Sequence, residues 1–135
     1  MSRRGKLKAK VYEIDIESLS HEGRGISHNE NKVIFTRGAL PGEKVVASRT
    51  LSRAKYEEAD VVEILEASPD RIEPKCSGYG VCGGCSFQHL SSLNQINAKR
   101  NWLQSAFLGQ AKAEPKEWLE PMQIDSWGYR RKARL

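Results

Sequence analysis

The sequence has no apolar run approaching the ~20 residues that a membrane-spanning helix requires. Basic residues near its start are not followed by an apolar stretch, so we expect no secretory signal. Aromatic residues make up only 7% of the chain, and 135 residues leave room for one ordinary domain, or a small domain with part of a second. We therefore expect a soluble, cytoplasmic and monomeric chain that makes no membrane contact, rather than a large enzyme.

Acidic residues are absent from both ends of the sequence, where the basic residues cluster. The two clusters consist of Arg3, Arg4, Lys6, Lys8 and Lys10, and of Arg130, Arg131, Lys132 and Arg134. Since the segment between them is net acidic, the clusters account for the net charge of +5. Such clusters favour a polyanion, because each neutralised phosphate releases counterions, although short basic ends also occur as simple solvated tails.

The segment from Lys8 to Leu65 predicts short strands separated by turns. Tyr12, Ile14 and Ile16 alternate with acidic residues, which is the period of a half-buried strand. A glycine on either side of Arg24 indicates a sharp bend, and residues 40–43 have the proline and glycine of a type II turn. Further apolar or β-branched runs lie at residues 32–36, 44–51 and 56–65. This pattern predicts a mainly β fold, a small five-stranded OB-like barrel over residues 1–67, although the spacing alone does not separate an OB-like from an SH3-like barrel.

Residues 68–135 form the second predicted region, which begins with a polar, proline-bounded connector. One helix is expected here: Ser92 can cap it with Gln95 three residues on, and Gly109 is placed to end it. Leu93, Ile96, Leu103 and Phe107 fall largely on one face of this helix, which we expect to pack into a core. The chain as a whole is thus expected to be α+β, with a loop-rich second part.

Three cysteines stand close together in the pattern Cys76-x5-Cys82-x2-Cys85, with four glycines among the intervening residues. Structural disulfides explain them poorly, because the number is odd and no export signal is expected. A catalytic thiol would need only one cysteine and a paired base, and we find no such catalytic constellation in the chain. Glycines let a backbone wrap tightly around one centre, so the pattern favours metal binding.

The spacing alone leaves the identity of the metal open. Zinc normally takes four ligands, and His89 lies four residues after Cys85, so the three cysteines and His89 could form a Cys3His site. An iron–sulfur cluster normally takes four thiolates, of which this chain offers three. A histidine in this position is also commonly a simple capping or hydrogen-bonding residue.

The string CSGYGVCGGCSFQHL, from Cys76 to Leu90, resembles the cluster-binding segment of bacterial ribosomal RNA uracil-C5 methyltransferases. Residues 21–25 (HEGRG) and 39–43 (ALPGE) resemble landmarks of the TRAM domain that opens those enzymes, and residues 68–71 (SPDR) resemble their connector. Residues 129–133 (YRRKA) resemble the start of their central domain. The resemblance is greatest to the members that modify 23S rRNA, because they possess the TRAM barrel.

This resemblance implies a [4Fe–4S] cluster with Cys76, Cys82 and Cys85 as ligands. The fourth family ligand is a cysteine farther downstream, outside this chain, and the position of His89 is not a ligand in the family. S-adenosylmethionine and the catalytic cysteine belong to a Rossmann-like domain that residues 1–135 do not include. We therefore expect an RNA-binding, cluster-carrying part of such an enzyme, with no catalytic residues of its own.

The expected partner is 23S ribosomal RNA, bound by cations at phosphates and by aromatic rings at unstacked bases. The candidate RNA-binding residues are Arg24, Lys55, Tyr56, Arg130, Arg131 and Lys132. One alternative is a self-contained Cys3His zinc module that binds RNA. Another is a TRAM-bearing methylthiotransferase, which is disfavoured because those enzymes place the barrel after the cluster domain.

Overall fold

We describe residues 10–132 of a computed structural model of the chain. These residues divide into two compact units, with the boundary between Ser91 and Ser92. The first unit contains the predicted barrel region together with the connector and the cysteines. The second contains the helix and the segment that follows it. Within residues 10–132, no helix combines the length and the apolar character needed to span a bilayer.

The first unit is built on a single six-stranded sheet, as expected from the β-branched and alternating segments. Its strands are β1 (Val11–Asp15), β2 (Ser18–Leu19), β3 (Gly25–Asn29), β4 (Lys32–Arg37), β5 (Lys44–Ser52) and β6 (Tyr56–Glu66). They are ordered β1-β5-β6-β4-β3-β2 across the sheet. All neighbouring strands are antiparallel except β4 and β6, which are parallel.

The two edge strands of this sheet, β1 and β2, are consecutive in sequence. Between β1 and β2 the backbone changes its hydrogen-bonding partner from the β5 side to the β3 side. The Ile16 amide donates to the Glu43 carbonyl at 2.9 Å, and the Glu17 amide donates to the Ile26 carbonyl at 2.8 Å. One bent segment therefore hydrogen-bonds near both margins of the sheet, although no continuous ladder closes it. The mainly β fold is confirmed, and the predicted number of five strands is met if β1 and β2 are counted as one bent strand.

The core of the first unit lies on one face of the sheet, where the predicted alternation places it. It is formed by Tyr12, Ile14, Ile16, Ile34, Ala39, Val45, Ala47 and Ala59. Gly25, in the glycine-flanked bend, is the first residue of β3 rather than a loop residue. A Cβ at Gly25 would lie 2.8 Å from Cγ2 of Ile16 and 3.0 Å from Cβ of Ala39, so only glycine allows this approach.

The turn before β5 has the predicted form. Gly42 has a φ of +81°, the conformation required at the third position of a type II turn. The Glu43 amide closes the turn by donating to the Leu40 carbonyl at 3.2 Å. The turn places the Glu43 side chain in the interior, where it is fully buried.

In the second unit, α1 (Ser92–Ala106) begins where the capping pattern predicts. It continues into a π-helical turn, Phe107–Ala111, and ends only at Lys112, whose φ is +49°. The prediction that Gly109 ends the helix is therefore wrong by about one turn. None of the α1 residues is buried: the residues of the predicted apolar face include Leu93, 59% exposed, and Leu103, 43% exposed. The expectation that this face packs into a core is not met within residues 10–132.

Candidate metal centre and nucleic-acid interface

The cysteine segment (Cys76–Leu90) has no regular helix or strand and is shaped by turns. The Tyr79 amide donates to the Cys76 carbonyl at 3.0 Å, and the Cys82 amide donates to the Gly78 carbonyl at 2.9 Å. Gly80 and Gly83 have φ values of +84° and +75°, which residues with a Cβ rarely adopt. The glycines noted in the sequence therefore produce a tightly curled loop.

All three cysteine thiols are free and exposed on this loop. A Cβ at Gly78 would lie 3.7 Å from both Sγ of Cys76 and Cβ of Cys82, so Gly78 lies beside both cysteines. The donor set therefore suits a thiolate-ligated metal centre in its chemistry. Among residues 10–132, however, no three His, Cys, Asp or Glu side chains are already arranged around a common point, so the ligand set stays a prediction.

His89 is placed unlike the cysteines. It is 1% exposed, and its Nδ1 lies 2.5 Å from the Tyr79 hydroxyl, while its buried Nε2 has no hydrogen-bond partner among residues 10–132. Burial, reinforced by the positive charge of Arg71, lowers the pKa of His89 to about 4, so the ring is neutral near pH 7. This environment gives no support to the fourth position of a Cys3His zinc site.

Two further hydrogen bonds cross the cysteine segment. The Gln88 side-chain oxygen accepts from the Cys76 amide at 3.2 Å. The Tyr79 hydroxyl donates to the Ser86 carbonyl at 3.1 Å. Residues before Cys82 are thus tied to residues after Cys85.

A buried ion pair joins the connector to the sheet. Arg71 donates to both carboxylate oxygens of Glu43, from Nε at 2.6 Å and from an Nη at 2.8 Å, and also to the Gly38 carbonyl at 2.6 Å. The backbone amides of Leu40 and Ser68 complete the shell of Glu43. Burial alone would raise the pKa of Glu43, but these hydrogen bonds outweigh it and hold the pKa below its usual value.

Backbone hydrogen bonds at Arg71 and Ile72 link this ion pair to the cysteine segment. The Ile72 amide donates to the His89 carbonyl at 3.0 Å, and Arg71 forms a β-bridge with Leu90. Gly23, with a φ of +79°, contacts the segment from the other side: a Cβ there would lie 3.0 Å from the Ser86 oxygen and 3.1 Å from the Phe87 ring. The predicted Gly-Arg-Gly bend therefore also supports the cysteine segment.

A polar pocket with several cations opens beside Glu57 on the first unit. Its charged and hydrogen-bonding lining includes Lys10, Tyr12, Lys32, Arg49, Ser52 and Glu57. The Tyr12 hydroxyl donates to Glu57, and Ser52 donates to it at 2.7 Å. Burial would raise the pKa of Glu57, but hydrogen bonds from Tyr12, Ser52 and Lys32 lower it to about 2. Two acidic residues, Glu30 and the buried Glu57, therefore line the pocket together with three cations, which leaves a formal excess of one positive charge.

Two candidates for RNA contact lie at the turn between β5 and β6, next to this pocket. Lys55 is exposed, and its carbonyl accepts from the Val33 amide at 3.3 Å, which places it beside β4. Arg53 is also exposed on this turn and was missed by sequence reasoning. Tyr56 is half-buried, and its ring meets Phe35 edge to face at a centroid distance of 6.0 Å.

Arg24 lies in a different groove, where its charge is already balanced. Its guanidinium is 3.4 Å from Glu22 and 3.2 Å from Glu58. In the same groove, Arg37 binds Asp60 through two hydrogen bonds of 3.0 and 2.7 Å. Sequence alone does not reveal this difference from the Glu57 pocket, because Glu58 and Asp60 are distant along the chain from the arginines that they neutralise.

The remaining candidates, Arg130, Arg131 and Lys132, are exposed in the second unit and lie outside helices and strands. Arg130 stacks on Tyr129, with its guanidinium carbon 5.9 Å from the ring centroid. Of the basic cluster at the start of the sequence, only Lys10 belongs to the described residues, and its Nζ lies 5.0 Å from the centre of the Tyr12 ring. The other members, and Arg134, lie outside the described range.

Comparison with known proteins gives a consistent result over the whole chain. The TRAM domain family matches residues 5–62. The 23S rRNA (uracil(1939)-C(5))-methyltransferase RlmD of Vesicomyosocius okutanii is 59% identical over 135 residues, all of this chain and 31% of that protein. The proteins of the same name from Alkalilimnicola ehrlichii and Nitrosococcus oceani are 47% and 44% identical over 98% of this chain and 30% of their own lengths.

The chain thus spans about a third of the length of these relatives. The similarity includes the sheet, the connector, the cysteine segment and the second unit, since it covers all 135 residues in the first comparison. The chain is thus similar over its whole length to proteins named RlmD, and its residues 5–62 match the TRAM domain family.

Proposed function

We propose that this chain is the RNA-binding, cluster-carrying part of an S-adenosylmethionine-dependent 23S rRNA uracil-C5 methyltransferase. The observation that carries the proposal is the similarity of all 135 residues to proteins named for that activity, together with the TRAM domain. The methyl donor and the catalytic step belong to the part of those relatives that this chain does not span. Its place of action is the cytoplasm, where ribosomal RNA is assembled and modified in bacteria.

RNA is bound, in this proposal, at the cationic surface formed by the Glu57 pocket and the turn between β5 and β6. The exposed cations Arg53 and Lys55 contact phosphates, and Tyr56 offers an aromatic ring to a base. Arg130, Arg131 and Lys132 add phosphate contacts from the second unit. Arg24 contributes least, because Glu22 and Glu58 already neutralise its charge.

A salt titration of RNA binding tests this interface. The chain is titrated with a 23S rRNA fragment at several salt concentrations, and the slope of log K against log salt is measured. The double variant Arg53→Ala/Lys55→Ala should weaken binding and reduce the slope by about 1 for each phosphate that is no longer neutralised. Arg37→Ala is the matched control, because Asp60 already neutralises Arg37. Equal weakening in both variants, or binding independent of salt, would contradict the proposed interface.

The metal centre, in this proposal, is a [4Fe–4S] cluster held by Cys76, Cys82 and Cys85, with a fourth ligand from outside this chain. When bound, such a cluster supplies a rigid cross-link between parts of a loop that has little apolar core. The three exposed thiols of one loop support this ligand set. Turns at Gly80 and Gly83 curl the backbone between the cysteines, and Gly78 lies beside two of them.

Metal analysis of anaerobically purified protein tests the cluster. The chain should be produced together with the remaining two thirds of a relative such as the Vesicomyosocius okutanii protein, which offers further ligands. Iron and sulfide should be present in the complex and should be lost in Cys82→Ser. His89→Ala removes no thiol ligand, so the complex should still contain iron and sulfide, with at most the roughly tenfold weaker binding expected from a residue that only positions ligands. Stoichiometric zinc that disappears in His89→Ala would instead establish the Cys3His module.

A further inference from the structure

The Gln-His pair after the third cysteine is a sequence motif that neither RNA binding nor metal ligation uses. Its two side chains both reach back to the start of the cysteine segment. Gln88 accepts from the Cys76 amide at 3.2 Å, and His89 lies 2.5 Å from the Tyr79 hydroxyl. Tyr79 stands midway between Cys76 and Cys82, so both contacts act on the part of the loop that carries these cysteines.

The tautomer of His89 follows from the contacts of Tyr79. The Tyr79 hydroxyl has one proton, and its donation to the Ser86 carbonyl at 3.1 Å uses that proton. In the tautomer that matches this donation, His89 Nδ1 carries the hydrogen and donates to the Tyr79 oxygen, while the buried Nε2 is unprotonated. With this assignment, one hydroxyl joins Ser86, the neighbour of Cys85, to the turn between Cys76 and Cys82.

His89 itself is held by the sheet. Its carbonyl accepts from the Ile72 amide, and the preceding residue, Arg71, is fixed by Glu43. A chain of hydrogen bonds therefore runs from the fully buried Glu43 to the loop that carries the thiols. Each hydrogen bond along this path restricts the positions that the three cysteines can adopt relative to one another.

We propose that Tyr79 and Gln88 are positioning residues that arrange Cys76, Cys82 and Cys85 for a thiolate-bound metal, with His89 orienting Tyr79. This inference rests on the proposed ligand role of the cysteines. A loop whose backbone is already restrained loses less conformational freedom when its cysteines converge on a metal, and partners of the ligands commonly contribute 10- to 100-fold to metal affinity. Neither side chain touches the metal.

The test is a titration of the metal-free full chain with Cd²⁺ alone under anaerobic conditions, followed by the thiolate-to-cadmium absorption band. Tyr79→Phe removes only the hydroxyl and should weaken Cd²⁺ binding by about tenfold or more, with fewer thiolates contributing to the band. Gln88→Met deletes the other tie while nearly preserving side-chain size, and it should cause a similar loss. Tyr129→Phe is the matched control, because it removes an exposed hydroxyl in the second unit.

The outcomes separate this inference from the ligand assignment. If the wild type binds no Cd²⁺ through its thiols, the ligand assignment and the positioning role are both overturned. If the wild type binds and both variants stay within about twofold of it, only the positioning role is overturned. Circular dichroism of the metal-free proteins identifies a variant that fails to fold, in which case the other variant decides.

Discussion

Different interactions stabilise the sheet and the cysteine segment of the first unit. The sheet buries a cluster of apolar side chains and pairs its backbone in long ladders. In the cysteine segment, only His89 and Leu90 are buried, and the structure depends on a few polar ties. Apolar packing is spread over many neighbours, whereas a polar tie disappears at once when one partner is removed. Single substitutions should therefore affect the stability of the two regions differently.

The largest effect is expected from Arg71→Met. This change leaves the fully buried carboxylate of Glu43 without its cation and should lower the free energy of unfolding by about 3–5 kcal/mol. Urea unfolding of wild type and variant measures the loss. The double variant Glu43→Gln/Arg71→Met should recover part of it, because no buried charge then lacks a partner. A loss below about 1 kcal/mol would indicate that solvent reaches Glu43.

Acid should weaken the sheet through Glu57, whose carboxyl pKa is lowered to about 2 in the folded protein. Because the unfolded chain binds this proton more tightly, the stabilisation is fully present above about pH 4.5 and is lost as the pH falls towards 2. Glu57→Gln has no such proton to bind, so its urea midpoint should vary less over this interval. Equal pH slopes in wild type and variant would exclude Glu57 as a source of acid sensitivity.

A smaller and more local effect is expected from Gly23→Ala. The new Cβ meets Ser86 and Phe87 at a positive φ, so the variant should lose about 1–2 kcal/mol. Hydrogen exchange should accelerate in the cysteine segment and stay unchanged in the sheet. Gly42→Ala is the matched control, because its φ is +81° but no atom lies within 4 Å of the added Cβ. Faster exchange of the cysteine segment in both variants would assign the effect to backbone strain alone.

The smallest effect is expected from Arg37→Ala on the surface of the sheet. Arg37 is 66% exposed and Asp60 38% exposed, so water screens their attraction and the loss should be at most about 1 kcal/mol. Thermal unfolding at low and high salt measures the contribution, which should shrink as salt is added. A larger, salt-independent loss would show that the alkyl part of Arg37 packs on the sheet.

Local sequence patterns predicted much of the sheet but few of the side-chain hydrogen bonds and ion pairs. The alternation at residues 12–16 and the turn at residues 40–43 depend on neighbours in sequence, and both predictions are confirmed. The pairing of Glu43 with Arg71 joins residues 28 positions apart, and no periodicity indicates which charges meet over such a distance. The Glu57 cluster escaped prediction for the same reason.

The helix illustrates a related limit. Periodicity identified residues that share a face of α1, such as Leu93 and Leu103, but it contains no information on what covers that face. In the candidate metal centre, the spacing identified the cysteines, whereas the hydrogen bonds of Tyr79 and Gln88 are visible only in the three-dimensional structure. The identity of the metal stays a prediction.

The bent segment formed by β1 and β2 has a consequence for how the first unit comes apart. The same short stretch of backbone borders β5 on one side and β3 on the other. A protease cut between Asp15 and Ser18 would therefore remove the covalent link between β1 and β2, and both margins of the sheet should open more easily. Cleavage at this stretch should report the opening of these two margins.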